Sequence, residues 1–126
     1  MPAAEILRGR RVVATPDAID GAELPADAVL LRIAADDALV IGDGPISLPD
    51  DHAIVEPDTG WCALRVSEAR ALRLLAHHAA WEPLPARPVL LQGMVAGLAA
   101  KVYLDGERSM IIVATPFAGE LEERLA

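Results

Sequence analysis

Three apolar segments separated by two turn signals constrain the fold of this chain most. Residues 89–95, 98–104 and 109–114 have the length and the branched apolar content of β-strands. Ala96-Gly97 and Asp105-Gly106 stand between them, and Asp-Gly is a strong two-residue hairpin signal. Strands joined by such short connections run antiparallel. The sequence therefore predicts a three-stranded antiparallel meander whose last strand is central and covered on both faces.

A strand and a helix precede this meander. Residues 60–66 alternate between two faces, which predicts a strand. Ser67 is suited to cap a helix over residues 67–79, because its hydroxyl can accept a hydrogen bond from a first-turn N–H. Residues 81–88 contain three prolines, which exclude regular structure there. The apolar stripe predicted for the helix consists of Leu72, Leu75, Ala76 and Ala79.

A second helix is predicted after the meander, over residues 116–125. Thr115 is expected to cap it, and Pro116 takes the first helical position, where no hydrogen-bond donor is lost. The order of elements from Gly60 onward is therefore β-α-β-β-β-α. The side chains expected to face the core are Phe117, Leu121 and Leu125, spaced four residues apart.

The first half of the chain has weaker patterning. Residues 1–28 predict a weakly ordered segment with at most one short strand. Residues 29–42 predict a hairpin that turns at Asp36-Asp37. A Gly-, Pro- and Asp-rich loop over residues 42–51 follows, and residues 53–56 predict a short strand.

Together these segments predict one α+β domain over residues 1–126. Its first half, residues 1–58, is acidic and rich in hairpins and loops. Its second half, residues 59–126, is the β-α-β-β-β-α core. A hydrophobic content of 53% supplies ample material for that core and excludes a disordered chain.

The net charge of −8 is unevenly distributed along the chain. Residues 17–58 hold eleven acidic residues and one basic residue, Arg32, whereas residues 61–126 hold seven of each sign. Such an acidic face repels a phosphate backbone, so we expect no nucleic-acid binding. Two interpretations stay open: a solvated surface that aids solubility, and a docking face for a basic partner.

The sequence also predicts the compartment. Cys62 is the only cysteine, so no intrachain disulfide can form, which fits a reducing environment. Met1–Arg11 has no apolar stretch of signal-peptide length. Every apolar run is far shorter than the roughly 20 residues of a membrane span. We expect a cytoplasmic protein that does not enter a membrane.

No pattern in the sequence predicts a catalytic or a metal site. His77-His78 are adjacent on a predicted helix, so their side chains point about 100° apart and cannot easily share one ion. Asp50-Asp51-His52 lie in a loop where such residues usually form turns, although a function for the loop Asp43–His52 stays open. Cys62 is expected to be a buried structural cysteine. Pro2 leads into a helix-favouring segment, so it is not expected to act as an N-terminal base.

Several motifs follow one another in a fixed order over residues 58–126. They are Leu64–Ser67 before the first helix, Leu74–Leu75 at its end, Gly97 and Val102–Tyr103 in the hairpin, Ile111–Val113 in the last strand and Pro116–Ala118 before the second helix. In this order they resemble the small gamma subunit of heterotetrameric sarcosine oxidase. They are similar, more remotely, to the folate-binding domain of the glycine-cleavage T-protein. Residues 29–42 resemble an early hairpin of the same family.

The resemblance implies a compact ferredoxin-like fold. This is a two-layer sandwich of an antiparallel sheet and two helices, here preceded by one or two hairpins. It also implies a noncatalytic role in a larger complex. The chain departs from the family at Ser67–Ala69, where Ser-Gly-Pro is common, and no T-protein catalytic or folate-contacting residue finds a match. We therefore expect an accessory or interaction domain, without a cofactor, that binds a protein partner or associates with itself.

A second interpretation is a protein that binds a small ligand, such as a folate or another pterin. Trp61, Trp81 and Tyr103 can provide stacking surface, and Arg65 and Arg87 can meet a ligand carboxylate. Ordinary packing of aromatic rings in the core is the competing explanation. A third interpretation is a small enzyme whose polar pocket forms only in the folded chain.

Overall fold

The computed structural model describes residues 3–126, so Pro2 lies outside the described residues. The chain forms two compact units: an N-terminal unit, Leu7–Thr59, and a C-terminal unit, Gly60–Ala126 together with residues 3–6. The elements are β1 (Glu5–Ile6), β2 (Gly9–Val13), α1 (Pro16–Asp20), β3 (Val29–Ala34), β4 (Asp37–Ile41), β5 (Ile54–Asp58), β6 (Trp61–Ser67), α2 (Glu68–His78), β7 (Val89–Val95), β8 (Leu98–Leu104), β9 (Arg108–Ala114), a 3₁₀ turn (Thr115–Phe117) and α3 (Ala118–Leu125).

The C-terminal unit contains the predicted meander. Its five strands pair in the order β1-β6-β9-β8-β7, every pair antiparallel. Ala96 and Gly97 form the β7–β8 turn with φ values of 51° and 78°, the two positive angles that a type I′ turn requires. The strand β9 lies between β6 and β8, and both Ile111 and Ile112 are fully buried. The prediction of a central strand covered on both faces is confirmed.

Helices α2 and α3 supply part of the core of this unit. Leu75 of α2 and Leu121 and Leu125 of α3 are buried in one cluster with Leu64 and Ile111 of the sheet. Within residues 3–126 the two units together contain two antiparallel sheets and three helices, with more strand than helix. The α+β class is confirmed.

The cap of α2 is confirmed, but its predicted apolar stripe is confirmed only in part: Leu75 and Ala79 contribute to the core, whereas Leu72 and Ala76 are exposed. The hydroxyl of Ser67 accepts a hydrogen bond from the backbone N–H of Arg70 at 3.2 Å. Ala71 and Leu75 are buried, whereas Leu72 is 37% exposed. Each helical residue turns about 100°, so a face centred on Ala71 and Leu75 leaves Leu72 at its edge.

The start of α3 also differs from the prediction. Thr115 is the first residue of a 3₁₀ turn, and α3 itself begins at Ala118 with Phe117 at its N-cap position, so Thr115 is not the N-cap of α3. Leu121 and Leu125 face the core as predicted, but Phe117 is 45% exposed. Phe117 sits in the 3₁₀ turn rather than in the helix, so the four-residue spacing that aligns Leu121 with Leu125 does not extend back to it.

The N-terminal unit is more ordered than predicted over its first residues. Its four strands pair antiparallel in the order β3-β4-β2-β5. The predicted hairpin of β3 and β4 is confirmed, but its turn lies at Ala35-Asp36, one residue before the predicted position, and Asp37 already belongs to β4. Thr15 caps α1 by accepting from the backbone N–H of Ala18, and Pro16 is its first residue. A one-turn helix shows no periodicity, so only the Thr-Pro pair marked it in the sequence. The strand β2 lies between β4 and β5. Its Arg11 guanidinium donates to both carboxylate oxygens of Asp37, the first residue of β4, at 2.5 Å.

None of the helices within residues 3–126 is long and apolar enough to cross a membrane.

Asp105 stabilises the turn between β8 and β9. Its carboxylate accepts from the backbone N–H groups of Arg108 at 2.7 Å and Glu107 at 2.9 Å. These two bonds lower the pKa of Asp105, with the Arg108 bond the larger cause. Because the pKa is lower in the folded chain, the contribution is present at neutral pH and is lost as the pH falls through the folded pKa.

We expect Asp105→Ala to lower the free energy of unfolding at pH 7 by less than about 1 kcal/mol. The difference from the unmodified chain should shrink in acid, well below the ordinary Asp pKa of about 3.9. Urea denaturation of the unmodified chain and of Asp105→Ala, at pH 7 and in acid, measures the difference in unfolding free energy. A difference that stays constant in acid would contradict the assignment.

Candidate functional site

The sheet of the C-terminal unit has two faces with different composition. Successive residues of a strand point to opposite faces, so Leu64, Val102 and Ile111 lie on the face that packs against α2 and α3. Trp61 of β6 and Lys101 of β8 lie on the other face. The predicted ligand residue Trp61 therefore stands apart from the main apolar core of this unit.

A cation–π contact joins these two residues across β9. The ammonium of Lys101 lies 4.4 Å from the centroid of the Trp61 ring. The same Nζ atom donates a hydrogen bond to Oε1 of Gln92 at 3.1 Å, because Gln92 and Lys101 are direct partners in the β7–β8 register. A cation held over an indole contributes on the order of 0.5–1 kcal/mol at a partly exposed position. The ammonium is thereby fixed in place.

Apolar side chains surround this contact and form a shallow cleft of about 320 Å³. Met94 is 54% exposed and Phe117 is 45% exposed, and both line it. The small side chains of Ala99 and Ala114 also line it and leave room between the larger ones. We call this depression, with Trp61, Gln92, Met94, Lys101 and Phe117, the Trp61 cleft.

Trp81, the second predicted ligand residue, lies on the opposite face of the sheet. A Cβ atom on Gly93 would lie only 2.6 Å from the Trp81 Nε1, so the glycine leaves the space that the indole fills. Nε1 donates to the carbonyl oxygen of Met94 at 2.9 Å. Trp81 also lines a second depression, beside Leu72 and Ala76 of α2. It covers the end of β7 and does not line the Trp61 cleft.

The other three predicted ligand residues lie elsewhere in the same unit. Arg65 is exposed and pairs with Glu5 at 3.5 Å. The Arg87 guanidinium donates to the carboxylate of Glu68 and to the carbonyl oxygens of Leu84 and Ala86. Tyr103 is partly buried, and burial, followed by the charge of Asp105, raises its pKa.

No pattern in the sequence predicted Lys101, Gln92, Met94 or Phe117 as ligand-binding residues, and Phe117 was expected to face the core. The Ala96-Gly97 turn does fix the register that places Gln92 opposite Lys101, so this pair was accessible from the sequence. The approach of Lys101 to Trp61 was not, because it depends on β9 entering between β6 and β8.

In the acidic loop Asp43–His52 of the N-terminal unit, Asp50 stabilises the local backbone. Its carboxylate accepts from the backbone N–H of Thr15 at 3.0 Å and of His52 at 2.9 Å. These bonds lower the pKa of Asp50, the Thr15 bond more than the His52 bond. Asp43 faces Arg8 at 3.9 Å, and both side chains are largely exposed. The arrangement is that of a hydrogen-bonded turn.

The Trp61 cleft offers binding chemistry. It combines apolar contact, one fixed ammonium and one side-chain amide. Cys62, next to Trp61 in β6, is a free, buried thiol on the other face of the strand. Within residues 3–126 no three His, Cys, Asp or Glu side chains gather as a metal site.

Comparison of the chain with protein-family models, with curated proteins and with solved structures finds no match.

Proposed function

We propose that this chain is a noncatalytic accessory or interaction domain, resembling the gamma subunit of a heterotetrameric sarcosine oxidase. The observation that carries the proposal is the Trp61 cleft, where Trp61, Met94 and Phe117 surround one depression. Trp, Phe and Met are the residues enriched in protein interfaces. Grouped exposed apolar side chains, unlike scattered ones, mark a docking surface.

The charge in the cleft specifies the partner group further. Lys101 presents its ammonium beside the apolar side chains, and Gln92 fixes it there. A partner that places an apolar side chain in the cleft and a carboxylate near Lys101 would satisfy both features. The shape also fits a protein surface, since a shallow depression suits a protruding side chain.

Co-purification tests this proposal. The tagged full chain, expressed in its native cell, is expected to retain a larger flavin-containing protein, identified by mass and by flavin absorbance. Met94→Glu and Phe117→Glu place a carboxylate where the partner's apolar group would lie. Because central interface residues carry about 2 kcal/mol or more, each is expected to lower the recovery of the partner by more than about tenfold.

Leu84→Glu is the matched control. Leu84 is 58% exposed but lies outside the Trp61 cleft, so this variant should recover the partner normally. Equal losses in all three variants, or a clean monomer with no partner under several salt conditions, would reject the proposal.

The second candidate is a small-ligand binder for a folate or another pterin, with the Trp61 cleft as its site. The juxtaposition of Trp61 and Lys101 favours it, because a flat ring can stack on the indole and a carboxylate can reach the ammonium. Titration with folates, followed by tryptophan fluorescence in Trp81→Phe, reports on Trp61 alone. No change in tryptophan fluorescence at millimolar folate would reject this second candidate.

Two finer expectations belong to the same proposal. The ferredoxin-like arrangement is supported for the C-terminal unit by α2 and α3, whose Leu75 and Leu121 pack on one side of an antiparallel sheet. A cytoplasmic location is supported by Cys62, which is buried as a free thiol. Both are tested when the complex is isolated and its structure and location are determined.

A further inference from the structure

The edges of the two sheets differ in how they are protected. An unpaired edge strand presents backbone N–H and C=O groups to any extended segment, and proteins usually shorten, cover or bend such edges. In the C-terminal unit, β1 is only two residues long. At the opposite edge, Trp81 donates to the carbonyl oxygen of Met94 at the end of β7. Both edges of this sheet carry a protective feature.

The sheet of the N-terminal unit is protected at one edge only. The register of β3 against β4 shifts between Arg32 and Ala34, so the pairing along this edge strand is irregular. The Arg32 guanidinium also donates to the carbonyl oxygens of Ala34 and Ala35. The other edge strand, β5, pairs with β2 in continuous register from Ile54 to Asp58. It has no bulge.

The hydrogen-bond alternation of β2 shows which groups of β5 face outward. The Ala14 N–H donates to the carbonyl oxygen of Asp36, on the β4 side. Backbone groups in an antiparallel strand alternate in direction, so Val12 also faces β4, and Val13 faces β5. The partner of Val13 is Ile54. Ile54, Glu56 and Asp58 therefore bond to β2, and the backbone groups of Val55 and Pro57 point away from the sheet.

This outer edge is accessible and has a defined set of groups. Ile54 is 52% exposed, Val55 is 41% exposed, and every residue of β5 before Asp58 is exposed. Pro57 has no N–H, so the edge presents one donor, from Val55, and two acceptors, from Val55 and Pro57.

The charge around the edge selects its occupant. Leu7–Thr59 contains eleven carboxylates and four arginines, a net charge of −7 out of the −8 of the whole chain. Glu56, within β5 itself, and Asp51, just before it, are exposed. A second copy of the chain would bring two such units together and be repelled. A segment with basic side chains would be attracted.

We propose that the outer edge of β5 binds an extended, basic segment of another protein as an added strand. The segment accepts from the Val55 N–H and donates to the carbonyl oxygens of Val55 and Pro57. Its apolar side chains contact Ile54 and Val55, and its basic side chains lie near Glu56 and Asp51. No residue of β5 lines the Trp61 cleft. A test of peptide binding at β5 can therefore give a negative result while the proposed function holds, and the reverse.

Fluorescence anisotropy with the full chain tests the proposal. The probe is a labelled short peptide of alternating Lys and Val. The comparison peptides are an alternating Glu and Val peptide and a Lys and Val peptide with N-methylated backbone amides. The Lys and Val peptide should bind, the acidic peptide should not, and N-methylation should weaken binding at least about fivefold, since backbone hydrogen bonds are lost. Equal binding of the N-methylated peptide would indicate charge attraction alone and overturn the proposal.

Two substitutions in β5 supply opposite expectations. Val55→Pro removes the one outward N–H without removing a bond to β2, and is expected to weaken peptide binding about fivefold. Pro57→Val adds a second outward N–H and is expected to strengthen it by a similar factor. Circular dichroism checks that both variants fold; if Val55→Pro does not, Pro57→Val still decides. No change in Pro57→Val, or self-association of the chain through β5 in place of peptide binding, rejects the proposal.

Discussion

Replacement of Leu121 by Ala is expected to lower the free energy of unfolding by about 3 kcal/mol. Leu121 is fully buried in the core of the C-terminal unit, with Leu64, Leu75 and Ile111 among the buried members of its cluster. Removing its branched end costs the transfer free energy of the lost carbon atoms. The cavity left behind adds to this cost, because strands and a helix cannot collapse fully into it. Urea denaturation followed by tryptophan fluorescence measures the effect, since both Trp61 and Trp81 belong to this unit.

Leu84→Ala is the control for this prediction. It makes the same chemical change at a side chain that is 58% exposed, and is expected to change the free energy by no more than about 0.5 kcal/mol. The slope of the unfolding free energy against urea concentration should stay the same in both variants, because neither substitution alters the surface exposed on unfolding appreciably. Similar values for Leu121→Ala and Leu84→Ala would show that α3 does not pack as described.

Replacement of Arg87 by Met is the second large expected effect, a loss of about 2 kcal/mol. Glu68, the first residue of α2, is only 8% exposed, and its carboxylate accepts from Nε of Arg87. Removing the guanidinium leaves a nearly buried carboxylate without this partner. It also removes the bonds from Arg87 to the carbonyl oxygens of Leu84 and Ala86. The effect should fall below the cost for a fully buried pair, because Arg87 retains some contact with water.

A double-mutant cycle with Glu68→Gln separates the pair from its surroundings. With both side chains neutral, no unpaired charge remains, so the double variant should be more stable than the two single losses predict, by about 1 kcal/mol. Arg73→Met, at an exposed position of the same helix, is the matched control and should have little effect. Losses that simply add would mean that Glu68 and Arg87 do not interact energetically.

Leu121→Ala and Arg87→Met test how α2 and α3 are stabilised, whereas the Trp61 cleft and β5 are tested by variants at the surface. Leu121 and the Glu68–Arg87 pair both lie in the C-terminal unit. The variants that test the Trp61 cleft and β5 change exposed side chains or an outward N–H. A loss of partner or peptide binding in those variants can therefore be distinguished from a loss of stability.

The sequence by itself determined the features that depend on neighbours along the chain. The turn at Ala96-Gly97, the Ser67 cap and the alternation of β6 follow from local backbone angles, local hydrogen bonds and the two-residue period of a strand. The α+β class followed from the same patterns. Thr15-Pro16 carried a local signal as well, for α1, but one helical turn is too short to reinforce it with a periodic stripe.

Only the tertiary structure decided which faces are covered. The same apolar side chain is buried or exposed according to what packs on it, so spacing could not separate Leu121 from Phe117 or Ala71 from Leu72. The Trp61 cleft forms because β9 lies between β6 and β8. The outer edge of β5 is open because β5 is the last strand of its sheet. Both are pairings between residues far apart in the chain, which no local pattern specifies. The two proposed binding surfaces are therefore set by strand order, although the strands and helices are set largely by local sequence.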